Sequence, residues 1–413
     1  MLAQPNPKKK NLTNFEISQR EFHHELKRLR EVKKFGPLLD RSAVQIALAK
    51  FQDRVVYVKG SINALLCDHD GKYVFSASSD GSIGVIELEQ MELKYREKSL
   101  HEESIKFMTL TPDRQYLVAF SQRNHIGYLK LKQTLFSHIY ESVDDFYISC
   151  VVVTQENKFL IAGKTEGTIL VYDLSTNDLV WKNEQAHSKW VKHVAVIEDP
   201  TFFVSSSLDG TVAVWNIEKK SLHTKFEVAH LRAINGIAAI PKTNRVVAGA
   251  DSNTITILDA VSQIKICELS KVHKNSVFHV AVSSNQKIIV SVGDDSTVAL
   301  WEIDKKGKLQ EYKKFEYPGA TNVNFVAITP DNQRTIASNY KTIQIWRKNQ
   351  SVEDPPEELI LKNKMHPEKF HLSKDGRYFS AVSKLDKSIY IWNLHKKNAS
   401  FTLRTSLSKR FEE

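Results

Sequence analysis

An all-β chain folded as a closed ring of four-stranded sheets, a β-propeller, is the fold class this 413-residue sequence predicts. Three observations carry the prediction. A sequence pattern returns about every 43 residues from residue 61 onward. Within each copy, apolar and polar residues alternate. Between the alternating stretches lie small, polar or acidic residues of the kind that close tight turns.

The register comes first, because a missed repeat misassigns the whole architecture. The clearest copies are HSKWVKHVAVIEDPTFFVSSSLDGTVAVWNI, residues 187–217, and HKNSVFHVAVSSNQKIIVSVGDDSTVALWEI, residues 273–303. Aligning the third apolar stretch of every copy places Ile86, Leu129, Tyr172, Trp215, Leu258, Trp301, Trp346 and Trp392 at one position, in steps of 43, 43, 43, 43, 43, 45 and 46 residues. Period-2 stretches such as Thr211–Trp215 and Ser388–Trp392 read as strands, and Asp80-Gly81 and Asp209-Gly210 read as hairpin turns. Each copy thus holds four short strands. One such sheet leaves both faces uncovered, so copies stack face to face around an axis, and closing the ring protects its edges.

Eight copies predict eight blades, with a seven-bladed ring and one displaced repeat as the alternative. Arg54–Val58 reads as an extra strand before the first copy that would complete the last blade. On that reading Ala399–Leu403 must pack elsewhere or compete for the same edge. The domains expected are an N-terminal arm at 1–53, the propeller at 54–406 and a charged tail at 407–413.

These repeats resemble the WD-repeat family, whose units of about 40 to 45 residues carry a His near the start and a Trp-Asp pair closing the third strand. The resemblance covers roughly residues 54 to 406. It implies a buried hydrogen-bonded set of His, Ser, Asp and Trp, complete here in two copies: His187, Ser205, Asp209, Trp215 and His273, Ser291, Asp295, Trp301. Elsewhere the set is partial. His101 is followed by Arg123 and Leu129, His230 by Ser252 and Leu258, and Asp386 with Trp392 lacks a His. The Trp-Asp pair is never intact, and the subfamily is not identified. In such proteins the loops entering each first strand and those joining second to third strands form the narrow top of the ring. The rim implied here contains Arg123, Phe146, Tyr147, Lys164, Trp190, Arg232 and Tyr340, side-chain types that carry much interface energy.

The arm has its own composition. Of the net charge of +10, half lies in residues 1–34, where nine Lys and Arg face four Glu. Residues 1–12 are polar and basic and read as disordered. Thr13 and Glu16 then form a capping box. Phe15, Phe22, Leu26, Leu29 and Val32 make an apolar stripe opposed by Arg20, Lys27, Arg28 and Arg30, which predicts a helix over about 14–33. A second helix, from Arg41 to about Phe51, lies beyond Gly36 and Pro37. Phe22 and Leu26 are candidates for docking in a partner's groove, and Lys27, Arg28 and Arg30 for phosphate contact, against packing of the arm on the propeller.

No catalytic spacing appears: there is no P-loop, HExxH, GxSxG or paired CxxC. No enzyme activity, cofactor, metal or small-molecule substrate is expected. Adjacent His23 and His24 point to different sides of a helix, unlike metal ligands four apart. Asp294-Asp295 reads as one aspartate bonding its turn beside a solvated neighbour. Cys67, Cys150 and Cys267 lie far apart in apolar runs and read as buried free thiols. The sequence holds no apolar run of about 18 residues and no secretory leader, so a cytoplasmic chain without membrane insertion is expected, with nuclear or cytoskeletal placement as the alternatives.

A non-catalytic protein-interaction scaffold, one subunit of a larger assembly, is therefore the function expected. The alternative is a nucleic-acid-associated subunit, in ribosome biogenesis or RNA modification, using the basic arm. A substrate receptor of a ubiquitin ligase is a third reading, against which stands the lack of a Trp-Asp-x-Arg signature.

Overall fold

A computed structural model describes residues 61–404, apart from 69, 90–91, 98–103, 122–125, 132–134, 141–146, 177, 228–231, 305, 319–321, 340, 360–366, 384–387 and 396–399. The chain separates into Met1–Asp53 and Arg54–Glu413. The arm, Arg54–Val58 and the tail lie outside the described residues, as do the readings made of them.

Thirty-two strands form eight four-stranded antiparallel sheets, each built from four consecutive strands. Eight blades, not seven, result. Their first strands are Ile62–Cys67, Ile105–Leu110, Ile148–Val153, Val191–Val196, Ile234–Ala239, Val277–Val282, Phe325–Ile328 and Pro367–Leu372. The second and third strands are almost wholly buried, as Phe202–Ser207 and Thr211–Asn216 show in blade 4. The fourth strands whose burial is described are largely exposed or half-buried, as Ser221–Glu227 is. Sequence polarity thus sorts strands radially, apolar runs going to the middle of each sheet and mixed ones outside.

Why the sheets stack follows from where their apolar faces go. Eight buried clusters each span one blade boundary; Ile161, Ile169 and Val171 of blade 3, for example, meet Val191, Phe203 and Trp215 of blade 4. Small polar residues near the top of alternate first strands add polar ties. Asn63 Nδ2 donates to Ile105 O at 2.9 Å, Ser149 Oγ to Val191 O at 2.5 Å and Asn235 Nδ2 to Val277 O at 3.1 Å. A bulge in the outer edge strand recurs, with His223 the extra residue opposite Val214 and Trp215 and Tyr312 the extra residue opposite Leu300 and Trp301, and this twists the open edge away from edge-to-edge pairing.

The ring closes without strand exchange. Ser400–Arg404 is the fourth strand of blade 8, paired from Ser388↔Arg404 to Trp392↔Ser400. The edge considered for Arg54–Val58 is therefore occupied by the C-terminal segment. Blade 8 instead meets blade 1 through Tyr378, Val382, Ile389 and Ile391 packed with Ile62, Leu65 and Val74. The Cys67 amide donates to His371 Nδ1 at 3.0 Å, and below them Arg377 donates to Asp70 O at 2.7 Å while Arg114 pairs with the Asp70 carboxylate.

All three cysteines are free thiols. Burial pushes Cys67 and Cys150 up to about 12, so neither forms thiolate near neutral pH. Cys67 is buried; Cys150 and Cys267 are only partly so.

Candidate functional site

Two blades hold an identical polar core beneath the top loops. In blade 4 the Trp215 indole donates to Ser205 Oγ at 2.7 Å, and Ser205 Oγ lies 2.7 Å from His187 Nε2. His187 Nδ1 lies 3.1 Å from Asp209 Oδ2 and 3.0 Å from Thr211 Oγ1. The hydroxyl accepts from the indole and gives its hydrogen to Nε2, so Nδ1–H donates to the carboxylate. Blade 6 repeats this at 2.9 Å for Trp301 to Ser291, 2.8 Å for Ser291 to His273 and 2.8 Å for His273 to Asp295.

Each aspartate also holds backbone. Asp209 accepts from the Ser188 amide at 3.0 Å and the Thr211 amide at 2.9 Å; Asp295 accepts from Lys274 at 2.9 Å and Thr297 at 3.2 Å. Burial by itself would raise both carboxyls. The bonds from His and Thr outweigh it and hold them well below the usual carboxylate range. Fourth-strand lysines complete the arrangement: Lys225 reaches Ala186 O at 3.4 Å and Asp209 at 3.8 Å, and Lys314 reaches Val272 O at 3.2 Å and Asp295 at 3.7 Å. Thr211, Thr297, Lys225 and Lys314 were missed in the sequence. The threonines had a signal, since each precedes its tryptophan by four residues; the lysines follow at unequal spacings and had none.

This network ties the hairpin between second and third strands to the loop entering the first strand. The Leu208 amide donates to Trp190 O at 3.1 Å, and Ser207 Oγ to Lys189 O at 3.1 Å. In blade 3 the Thr165 amide donates to Tyr147 O at 3.0 Å. Gly167, at φ 102°, brings that hairpin against blade 4: its carbonyl accepts from the His187 amide at 3.1 Å, and a Cβ there would lie 2.1 Å from His187 O. Only glycine permits both the dihedral and the approach.

On this braced backbone Tyr147 and Trp190 stand 50% and 39% exposed, each one residue before a first strand. Ser149 Oγ bonds Val191 O, so the two positions adjoin. Lys192 Nζ lies 4.9 Å from the Trp190 ring centre. Lys189, Arg232 and Lys274 are exposed on the entering loops of blades 4, 5 and 6. Lys164 departs from the rim expected of it. It is fully buried, its ammonium 3.3 Å from Glu166 Oε1. It ends the second strand of blade 3, where blades 4, 5 and 6 carry Ser207, Ala250 and Gly293, and Glu166 offsets the charge taken inside. Arg123, Phe146 and Tyr340 lie outside the described residues, as do Phe22, Leu26, Lys27, Arg28 and Arg30.

Among the described residues no group of His, Cys, Asp and Glu could hold a metal, and no helix is long and apolar enough to cross a membrane. Asp294 and Asp295 act separately. Asp295 belongs to the His273 set, and the Asp294 amide donates to Ser276 O at 3.0 Å.

A ring of eight four-stranded blades, two of them stiffened by His–Ser–Asp–Trp sets, defines a β-propeller of the repeat type. Comparison with known proteins agrees. The WD domain, G-beta repeat family matches residues 54–86 and 265–302, and the family described as DDB1- and CUL4-associated factor 12 beta propeller matches residues 125–257. The chain is an eight-bladed β-propeller that carries WD repeats. No curated protein matches it. Among solved structures, the computationally designed Ika8 protein is similar at a TM-score of 0.66 and 19% identity, over 82% of this chain and 98% of its own; that likeness concerns the fold alone.

Proposed function

We propose that this chain is a non-catalytic scaffold subunit that holds partner proteins on the top rim of blades 3 to 5. One observation carries the reading: Tyr147 and Trp190 stand exposed on loops whose backbone is tied to the adjoining hairpins, and Arg232 is exposed on the next blade. Aromatic side chains contribute large contact area with little ordering cost, and arginine adds a planar set of charged donors, which is why such residues dominate interfaces. Affinity purification of the full chain with quantitative mass spectrometry tests the proposal. The triple variant Tyr147→Ala, Trp190→Ala, Arg232→Glu is expected to lose specific partners at unchanged melting temperature. Retention of every partner at wild-type yield would overturn it.

The match to the propeller of DDB1- and CUL4-associated factor 12 supports a finer version, in which the chain is a substrate receptor of a DDB1–CUL4 assembly. Direct binding of purified DDB1 is the test, and the lack of a Trp-Asp-x-Arg signature is the feature such binding would have to circumvent. The basic arm supports a different partner class. Charge reversal at Lys27, Arg28 and Arg30 that abolishes a steeply salt-dependent interaction would assign nucleic acid to the arm, whereas loss on Phe22→Ala with Leu26→Ala, insensitive to salt, would assign it a protein groove.

A further inference from the structure

Tyr147 and Trp190 share chemistry that narrows the partner. They occupy the same register position in neighbouring blades, and their carbonyls are fixed by the Thr165 and Leu208 amides. Among the described residues neither the Tyr147 hydroxyl nor the Trp190 indole N–H has a bond to another protein group. The pair therefore presents two flat apolar surfaces and two hydrogen-bond donors from backbone positions each held by a hydrogen bond.

The ligand complementary to that pair is an extended chain with apolar rings and unpaired carbonyls. A polyproline II segment has both: its pyrrolidine rings pack on aromatic faces, it has no internal hydrogen bonds, and its carbonyls all face outward to accept. It also enters binding already ordered, which suits a shallow, rigid surface. The flanking charge sets its ends. Lys189 and Lys192 lie beside Trp190, and Arg232 and Lys274 follow on the next two blades. Against them the same loops and hairpins expose Glu184, paired with Lys182, and Asp251, bonded to Asn235 Nδ2, and half-bury Glu166, paired with Lys164, and Asp294, while Asp209 and Asp295 are committed to their histidines.

We propose that the rim of blades 3 and 4 binds a proline-rich segment in the polyproline II conformation, with acidic residues flanking it on the side of blades 5 and 6. The proposal rests on the scaffold reading and names its partner's chemistry.

The test uses the full chain and a fluorescein-labelled peptide, EEPPPPPP amide, read by anisotropy, with EEAAAAAA amide as its partner probe. The proline peptide is expected to bind and the alanine peptide to bind at least about tenfold more weakly. Trp190→Ala and Tyr147→Ala should each weaken the proline peptide by about tenfold, and Tyr147→Phe, which removes only the donor, by a few-fold. Arg232→Glu should remove the gain that the glutamates give over an uncharged proline peptide. Melting curves of all four variants should match wild type, since the altered side chains are exposed. Equal binding of the two peptides, or no effect of Trp190→Ala, would overturn the proposal. So would binding of a fluorescein-labelled short oligouridine, lost in Trp190→Ala, when the proline peptide does not bind, which would assign the surface to single-stranded nucleic acid. If Trp190→Ala removes cellular partners while both peptides fail to bind, the scaffold reading stands and the proline reading falls.

Discussion

Blades 4 and 8 carry the same tryptophan in the same register, yet use it differently. Phe203 pairs with Trp215 as Phe379 pairs with Trp392, so Ser205 and Ala381 are counterparts. Ser205 receives the Trp215 indole hydrogen; beside Ala381 the buried Trp392 Nε1 has no partner among the described residues. Blade 7 shows a third solution. Ala337 again replaces the serine, and the Tyr317 hydroxyl donates to Thr342 O at 2.7 Å. All three blades fold alike. Apolar packing across blade boundaries, present at every boundary, therefore carries the ring, and the polar set is a local brace for the loops above it.

The comparison can be broken most forcefully at the tryptophans. Trp215→Ala and Trp301→Ala should each cost about 3 to 5 kcal/mol, because each removes a buried indole together with its hydrogen bond. Urea or thermal unfolding checks this, and unaltered stability in both variants would show that the register misplaces them.

Acid should loosen the molecule in two stages. His279 is held down to about 4 from its ordinary 6.5, by burial first and by His193 second. It is neutral when folded and takes a proton on unfolding, so its stability is fully present above about pH 6.5 and is lost as pH falls toward 4. Asp209 and Asp295, depressed from 3.8, remain charged longer, and their contribution is lost only as pH falls below that value. Denaturation series across these windows should show both slopes. His279→Phe should flatten the upper one, and Asp209→Asn with Asp295→Asn the lower.

A gentler substitution sharpens the contrast between blades. Trp215→Phe should cost about 1 to 2 kcal/mol beyond the lost volume, because Ser205 Oγ loses its indole donor, whereas Trp392→Phe removes an unbonded buried donor and should recover about that much. Ala381→Ser should stabilise blade 8 by up to about 1 kcal/mol by supplying the missing hydroxyl. Equal effects at Trp215 and Trp392 would deny that the brace exists. The smallest effects belong to the rim, where Tyr147→Ala or Trp190→Ala should change stability by less than about 0.5 kcal/mol.

What the sequence displayed and what it hid divide along the same line. The register, the alternation in Thr211–Trp215 and the Asp-Gly turns are local periodic signals, and they sufficed for eight blades. The brace was legible where His, Ser, Asp and Trp kept their spacing. Lys164 was placed on the rim because it stands at the junction of second and third strands, and its burial goes with Glu166 two positions on, which no periodic pattern displays. Lys192 beside Trp190 was passed over because the strand that carries it alternates normally. How the ring closes rests on which of two segments takes one edge, a competition between residues 340 or more positions apart that no local pattern encodes.

The most direct measurement of the division between ring and brace is hydrogen–deuterium exchange of the full chain and its His187→Leu variant. The account expects faster exchange confined to peptides covering 186–190 and 205–211, with the other blades unchanged. Acceleration spread through the whole ring would make the polar set part of what holds the fold, and no change at residues 186–190 would remove the brace; either result contradicts the account.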